Sequence, residues 1–158
     1  PTEAEWEFAA RAGTKTATYA GPLLPRDDDD APVLDEIAVY AGNHEVDYDS
    51  PMQCYDQYED SAPYPCGTKR VAGKQANAFG LYDMLGNVWE WTTESDSPYP
   101  SEHVRDPLTG PNSSARDQHM SRGCGYSSVA APCRAAERTP RDPVRKKPSV
   151  GFRPVRSL

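Results

Sequence analysis

The pattern of apolar and polar residues at the start of the chain predicts one helix. Trp6 and Ala10 recur at helical spacing among Glu and Arg residues, which gives the segment one apolar face. Thr2 and Glu5 have the spacing of a capping box, in which each side chain bonds a backbone N–H of the first turn. A glycine suits the left-handed position after the last turn. We therefore expect a helix between Thr2 and Gly13.

The pattern of side chains in residues 78–93 changes from an apolar run to an alternation between two Trp residues and other side chains. The run ends at a Gly-Asn turn signal at residues 86–87, and two Trp residues then alternate with other side chains, which predicts a strand. Glu90 lies between those Trp residues and is costly to bury unless a cation or hydrogen bonds meet it. Asp83 lies one tight turn upstream. Two carboxylates with turn carbonyls are hard oxygen ligands, so this turn is a candidate calcium site.

Composition indicates one loop-rich domain. The chain has 158 residues, with 16 Pro, 11 Gly, nine Tyr and three Trp. That balance favours short strands, few helices and long ordered loops. The Pro/Ser/Asn-rich segment 95–115 is long for a compact domain, which favours a functional loop. His44, His103 and His119 show no ligand spacing, and we expect each at the surface.

Charge is distributed unevenly. Residues 1–66 carry 15 acids and 3 bases, whereas residues 67–158 carry 9 acids and 14 bases. No nucleic-acid motif accompanies the basic end, so we expect no nucleic-acid partner. No apolar run reaches membrane-spanning length, so we expect no membrane span. We expect arginines of the basic end to pair with carboxylates of the acidic half, with four candidates: Arg134, Arg138, Arg145 and Arg153.

Four cysteines leave two interpretations open. Pairing Cys54 with Cys66 and Cys124 with Cys133 would close short loops and stabilise a domain with a small core. Reduced thiols in a cytosolic protein fit the count equally well.

Four segments together resemble the formylglycine-generating enzyme (sulfatase-modifying factor) family: residues 1–13, 77–93, 122–138 and 151–155. The resemblance implies an α+β, divergent C-type lectin-like fold with a small twisted antiparallel sheet, few helices and long ordered loops. It also implies a single domain over residues 1–158 that lacks its N-terminal segment.

The resemblance implies calcium as a cofactor. The family positions that match Asp83 and Glu90 ligate Ca²⁺ by side chain, and those that match Gly86 and Val88 ligate it by main-chain carbonyl. Asn43 is a loose candidate for a second family calcium site. The alternative for Asp83 and Glu90 is a hydrogen-bonded turn without metal.

The oxidases of this family bind copper through two cysteines that follow a Gly-Gly-Ser-aromatic motif. At the second position after Tyr126 this chain has Ser128, which cannot replace a thiolate. Cys133 matches a different, structural cysteine of the family. Cys124 and Cys133 could form an alternative copper pair, but a disulfide or two buried thiols is the favoured interpretation.

The first functional hypothesis is a non-catalytic module that binds a protein or small ligand on a calcium-stabilised scaffold. The resemblance extends to diversity-generating retroelement variable proteins, whose substitutions concentrate in the tract matching residues 127–149. We define the lectin-like face by its candidate residues: Tyr126, Ser127, Ser128, Val129, Thr139 and Arg141. Lys146 and Lys147 do not suggest this face. The alternative is an oxidase that converts a sulfatase cysteine to formylglycine with copper and O₂. An extracellular or cell-surface location is compatible with either.

Overall fold

The computed structural model describes residues 1–54, 64–96, 98–99, 101–102 and 118–156. The candidate loop at 95–115 falls mostly outside these residues, and so does His103. Within them, the helices are Glu3–Arg11 (α1) and Pro32–Ile37 (α2). The strands are Gln53–Cys54 (β1), Tyr64–Pro65 (β2), Trp89–Ser95 (β3), His119–Arg122 (β4), Thr139–Arg141 (β5) and Val150–Gly151 (β6).

Helix α1 confirms the first prediction. The Thr2 hydroxyl accepts from the Glu5 backbone N–H at 3.1 Å, and the Glu5 carboxylate accepts from the Thr2 backbone N–H at 2.8 Å. The chain leaves the helix through two residues with positive φ, Ala12 and Gly13. Trp6 is buried on the apolar face. Local capping therefore determines both ends of this helix.

Helix α2 was not predicted from the sequence. Pro32 begins the helix, where its fixed φ suits the first turn and its missing N–H costs nothing. Leu34 and Ile37 are three residues apart and both are fully buried. The proline and this spacing were the available signals, but six residues are too few for a visible periodicity.

The main sheet has the order β5-β4-β3-β6. Strands β5, β4 and β3 are antiparallel neighbours, whereas β6 pairs with β3 in parallel, with Trp89 opposite Val150. The expectation of an antiparallel sheet is therefore wrong for this one pair. After β5 the chain returns through residues 142–149 and adds β6 at the opposite edge, in the direction of β3. Strands β1 and β2 form a separate antiparallel pair.

Strand β3 buries polar side chains against α1. The Trp6 indole N–H donates to Glu90 Oε2 at 2.8 Å, and the Glu94 carboxylate accepts from the Glu3 backbone N–H at 2.8 Å. Glu94 therefore satisfies an unpaired donor at the positive end of the helix dipole. These bonds compensate the burial of both glutamates and hold α1 on the sheet.

A buried ion cluster, which consists of Glu3, Glu7, Arg122 and Arg138, joins α1 to the basic end of the chain. Arg138 binds Glu3 through two bonds of 2.6 and 2.7 Å. Arg122 has a fully buried side chain and pairs with both Glu3 and Glu7. Hydrogen bonding to Glu3 raises the pKa of Arg138 above its ordinary value. The predicted pairing of the two charged halves is confirmed for Arg138, and Arg122 adds to it.

The same prediction is wrong for the other three candidates. Arg153 pairs with Glu90, which lies outside residues 1–66. Arg134 pairs with Glu137 and Arg145 with Asp142, in each case three residues away and at the surface. Arg134 and Arg145 each have a carboxylate three residues away, so neither pairs with the acidic half of the chain.

Two disulfides are present. Cys54 is joined to Cys66, and Cys124 to Cys133, so no described cysteine is free. Cys124 and Cys133 lie within the main hydrophobic core with Trp6, Met84 and Trp89. Of the two interpretations left open by the cysteine count, the structure shows the paired one.

No helix in the described part of the chain is long and apolar enough to cross a membrane.

Candidate functional site

The turn that carries the candidate calcium ligands is fixed by its backbone. Asp83, Gly86 and Asn87 all have positive φ. A Cβ on Gly86 would lie 2.5 Å from the Val39 carbonyl oxygen, so only glycine fits there. The Asn87 side chain accepts from the Lys69 N–H and donates to the Lys69 carbonyl. The turn is therefore held rigidly between two neighbouring segments.

All four candidate ligands line one cavity of about 410 Å³: Asp83, Gly86, Val88 and Glu90. Asp83 Oδ2 accepts from the Ala72 backbone N–H at 2.7 Å, and the Glu90 side chain is only 6% exposed. The structure thus brings together the residues that the resemblance grouped.

Arg153 enters the same cavity. Its Nε and one terminal nitrogen donate to the two oxygens of Glu90 at 3.0 and 2.7 Å. The same terminal nitrogen donates to the Tyr82 and Asp83 carbonyls at 3.0 and 3.3 Å. Ca²⁺ also takes carboxylate and carbonyl oxygens, so the oxygens of Glu90 and of the Tyr82 and Asp83 backbone, which converge on Arg153, are donors that suit the ion. A calcium ion bound through Glu90 would share that carboxylate with Arg153 or displace the guanidinium.

Asn43 lies elsewhere. It lines a larger cavity of about 1330 Å³, its side-chain oxygen accepts from the Tyr40 N–H, and its side-chain nitrogen donates to the Ala38 carbonyl. Its side chain therefore holds the short 3₁₀ turn over Ala41–Asn43. His44 follows in the chain and is 5% exposed, bonded to the Tyr126 carbonyl and the Tyr64 hydroxyl. The surface position expected for His44 is wrong, because these two partners satisfy both ring nitrogens inside the fold.

The candidate copper pair is closed. Cys124 and Cys133 are both 0% exposed and share a disulfide. Copper binding by cysteine requires thiolates, so this pair offers none until it is reduced and opened to solvent. The Ser128 hydroxyl accepts from the Gly125 backbone N–H at 3.1 Å and is committed to its own turn.

The candidate residues of the lectin-like face do not form one surface in the structure. Tyr126 is 2% exposed and packs against Val39 and Cys66, so it lies beneath the surface and burial raises its pKa. Residues 127–129 are accessible, and the Ser128 carbonyl accepts from the Ala41 N–H. Thr139 and Arg141 lie on β5 and line a separate cavity.

That cavity, which we call the basic cavity, has a volume of about 780 Å³ and is lined by Trp91, Thr139, Arg141, Arg145, Lys147 and neighbouring residues. The Arg141 guanidinium lies 4.6 Å from the centre of the Trp89 ring, and its Nε donates to Ser121 Oγ at 2.9 Å. Desolvation by burial lowers the pKa of Arg141. A small charged or polar ligand fits a cavity of this size.

Sequence reasoning missed three residues of the basic cavity. Trp91 was placed on a strand without a role, Arg145 was expected to pair with a distant carboxylate, and Lys147 was set apart from the lectin-like face. The available signal was the charge balance, since residues 116–158 contain ten Lys/Arg and three Asp/Glu.

Comparisons with known proteins agree on the family. The family model for the sulfatase-modifying factor enzyme 1-like domain matches residues 1–158. The formylglycine-generating enzyme of Mycobacterium tuberculosis is 36% identical over 167 residues, which cover 98% of this chain and 50% of that protein. A mouse protein named inactive C-alpha-formylglycine-generating enzyme 2 is 35% identical over 99 residues, or 62% of this chain and 26% of that protein.

Among solved structures, Treponema denticola variable protein 1 superposes with a TM-score of 0.67 at 25% identity, over 96% of this chain and 45% of that one. The chain spans half or less of the length of these relatives. The fold class expected from the resemblance is confirmed by this neighbour. With a family model matched from its first residue to its last, the chain belongs to the sulfatase-modifying factor (formylglycine-generating enzyme) family.

Proposed function

We propose that this chain is a non-catalytic module that binds a protein or small ligand at the lectin-like face. The observation that carries the proposal is a contrast between two places. The thiols that copper chemistry would need are sealed in a buried disulfide, whereas the basic cavity beside β5 is open and presents charged side chains. Similarity to a variable protein and to a mouse relative named inactive supports the same function.

Ligand binding is tested by thermal melting against a panel of neutral and acidic monosaccharides and short peptides. Val144 lines the basic cavity and is 85% exposed, so Val144→Trp should narrow the cavity without disturbing the core. Leu24→Trp at a similarly exposed position outside that cavity is the matched control. We expect at least one class of probe to raise the Tm of the parent chain and of Leu24→Trp, but not of Val144→Trp. A panel without any such probe would count against the proposal.

The finer form of the proposal is a diversity-generating retroelement variable protein. It predicts closely related copies of this chain that differ mainly within residues 127–149. The tract includes exposed Ser127 and half-buried Arg141, positions where substitution leaves the core intact. Related copies with identical tracts would remove this finer form and leave the binding module.

Calcium is the proposed stabilising cofactor, through Asp83 and Glu90 by carboxylate and through Gly86 and Val88 by carbonyl. Support comes from the shared cavity and from the cation-attracting oxygens around Arg153. Isothermal titration of the chelator-treated chain with CaCl₂ tests binding directly, and Asp83→Ala should abolish the heat.

The second candidate function is the copper-dependent oxidase, which the relatives named formylglycine-generating enzyme favour. Mass spectrometry of a Cys-x-Pro-x-Arg peptide, incubated with the reduced and copper-loaded chain in air, decides between the two. We expect no conversion, with an active formylglycine-generating enzyme as positive control. Conversion that is lost in Cys124→Ala would overturn the binding-module proposal.

An extracellular or cell-surface location is proposed from the two disulfides, because such bonds persist in oxidising compartments. Thiol labelling of freshly lysed cells should find all four cysteines protected. Free thiols in the folded protein would contradict that location.

A further inference from the structure

Arg141 differs from the other arginines that are withdrawn from solvent. Arg122, Arg138 and Arg153 each bind a carboxylate with side-chain exposures of 0%, 18% and 29%. Arg141 is half-buried, yet no carboxylate among the described residues lies within ion-pair distance of it. Removing an arginine from water without an anion is unfavourable, so such a position calls for a second function.

The donors of Arg141 are only partly used. Nε donates to Ser121 Oγ, which in turn donates to the Thr139 carbonyl at 2.9 Å. Within the described part of the chain, the two terminal nitrogens have no hydrogen-bond partner. Stacking on Trp89 at 4.6 Å holds the guanidinium plane in place. The side chain is therefore pre-organised with its forked end available.

The surroundings of Arg141 are positive and partly apolar. Arg145 and Lys147 line the same cavity, and Asp142 is the carboxylate among its described lining residues. Asp142 contacts Arg145 at 3.5 Å at the surface. This local excess of positive charge stands out in a chain whose net charge is -7. Trp91 adds an aromatic wall.

We propose that the basic cavity binds a small ligand that carries an oxyanion, with the terminal nitrogens of Arg141 as the primary contact. A carboxylate, sulfate or phosphate group matches the planar fork of the guanidinium. Arg145 and Lys147 contribute attraction from the rim, and Trp91 contacts the body of the ligand. This inference rests on the proposed binding function, since it names the ligand class of the part of the lectin-like face that lies on β5, Thr139 and Arg141.

The test compares probes that differ only in the anion. Glucose, glucuronate and glucose 6-phosphate share one ring, and titration calorimetry of the full chain measures each dissociation constant. We expect glucuronate or glucose 6-phosphate to bind at least about ten-fold more tightly than glucose. The two acidic arms separate a carboxylate from a phosphate ligand. Equal binding of all three sugars, or binding of none, would overturn the proposal.

Variants locate the site. Arg141→Gln should weaken binding of the preferred acidic sugar by about ten-fold or more, because it removes the charge and the fork. Arg141→Lys keeps the charge but not the forked pair of N–H donors. Its affinity should therefore lie between those of the parent chain and of Arg141→Gln. Arg134→Gln removes an exposed arginine outside the basic cavity and should leave affinity unchanged. Equal effects of Arg134→Gln and Arg141→Gln would show non-specific attraction to positive charge.

A second variant keeps the test valid if Arg141→Gln folds poorly. Arg145→Ala combined with Lys147→Ala changes only exposed side chains and leaves the stacking on Trp89 intact. We expect a several-fold loss of affinity that shrinks at high salt, because rim charges are screened. An unchanged dissociation constant would show that Arg145 and Lys147 do not contribute to binding, which would contradict the proposal.

The two proposals fail in different ways. If glucose binds as tightly as glucuronate and Val144→Trp blocks both, the binding module stands and the oxyanion inference falls. If the peptide cysteine is converted to formylglycine, the non-catalytic function falls, while the sugar titrations still decide the inference.

Discussion

The arginines of the buried ion cluster and Arg141 of the basic cavity have the same side-chain chemistry and opposite surroundings. In the buried ion cluster, Arg122 and Arg138 bind the carboxylates of Glu3 and Glu7 beneath α1. In the basic cavity, Arg141 stacks on an indole and has no such partner among the described residues.

The surroundings of an arginine side chain determine whether its charge stabilises the fold or can contact a ligand. Each cation of the buried ion cluster is paired with a carboxylate of α1, so that cluster holds the helix on the sheet. No described carboxylate neutralises Arg141, and this difference is the basis of the proposed oxyanion site.

Arg122→Ala should destabilise the fold by about 3–5 kcal/mol, because it leaves buried Glu3 and part-buried Glu7 with less compensation. Chemical denaturation gives the change in the free energy of unfolding. Arg134→Ala breaks a half-exposed pair with Glu137 and should cost about 0–1 kcal/mol. Similar costs for the two variants would mean that the buried ion cluster is not structural.

Chelating calcium should lower the Tm, because an ion that binds only the folded state stabilises it by about 2.7 kcal/mol at one hundred times its Kd. Glu90→Gln should remove the response to calcium, whereas Glu102→Gln at an exposed position should retain it. Arg153→Gln should strengthen the response, since a competing cation leaves Glu90. Identical melting with and without chelator in the parent chain would contradict the proposed ligands.

Arg141→Met should change the free energy of unfolding by no more than about 2 kcal/mol, since it abandons no carboxylate and loses a stacking contact and one hydrogen bond to Ser121. Thermal melting of Arg141→Met and Arg122→Ala under the same conditions compares the two losses of stability directly. A loss as large as that of Arg122→Ala would show that Arg141 has a structural partner and would remove the basis for an available charge.

The smallest effect is expected at the exposed capping box. The Thr2 backbone N–H, and then its hydroxyl, lowers the pKa of the Glu5 carboxyl below its usual range. Because the folded pKa is depressed, this stabilisation is present above the unfolded pKa of about 4.3 and is lost as pH falls through the folded value. Glu5→Gln should therefore slightly flatten the dependence of Tm on pH in that acidic range. Glu45→Gln, at another exposed glutamate, is the control; equal flattening would contradict the assignment.

Sequence reasoning succeeded where signals are local. The capping box at Thr2 and Glu5 and the turn at residues 86–87 were both recognisable, because their partners lie within a few residues. The four candidate calcium ligands line one cavity because they lie within eight consecutive residues, from Asp83 to Glu90.

Sequence reasoning failed where the burial of a side chain depends on residues that are distant along the chain. Tyr126 was expected on the lectin-like face but packs beneath it, and His44 was expected at the surface but bonds across the fold to the Tyr126 carbonyl. A single side chain in a loop-rich stretch shows no periodicity that distinguishes an exposed position from a buried one.

The sequence by itself determined helix α1, the family and the excess of basic residues near the end of the chain. Which of those basic residues are neutralised was decided only by the tertiary structure. The sheet order places β5 beside β4 and α1 beside β3, so Arg138 meets Glu3 whereas Arg141 meets Trp89. Ion pairs form between side chains that the fold brings within a few ångströms, and charge counts along the chain carry no information about that distance.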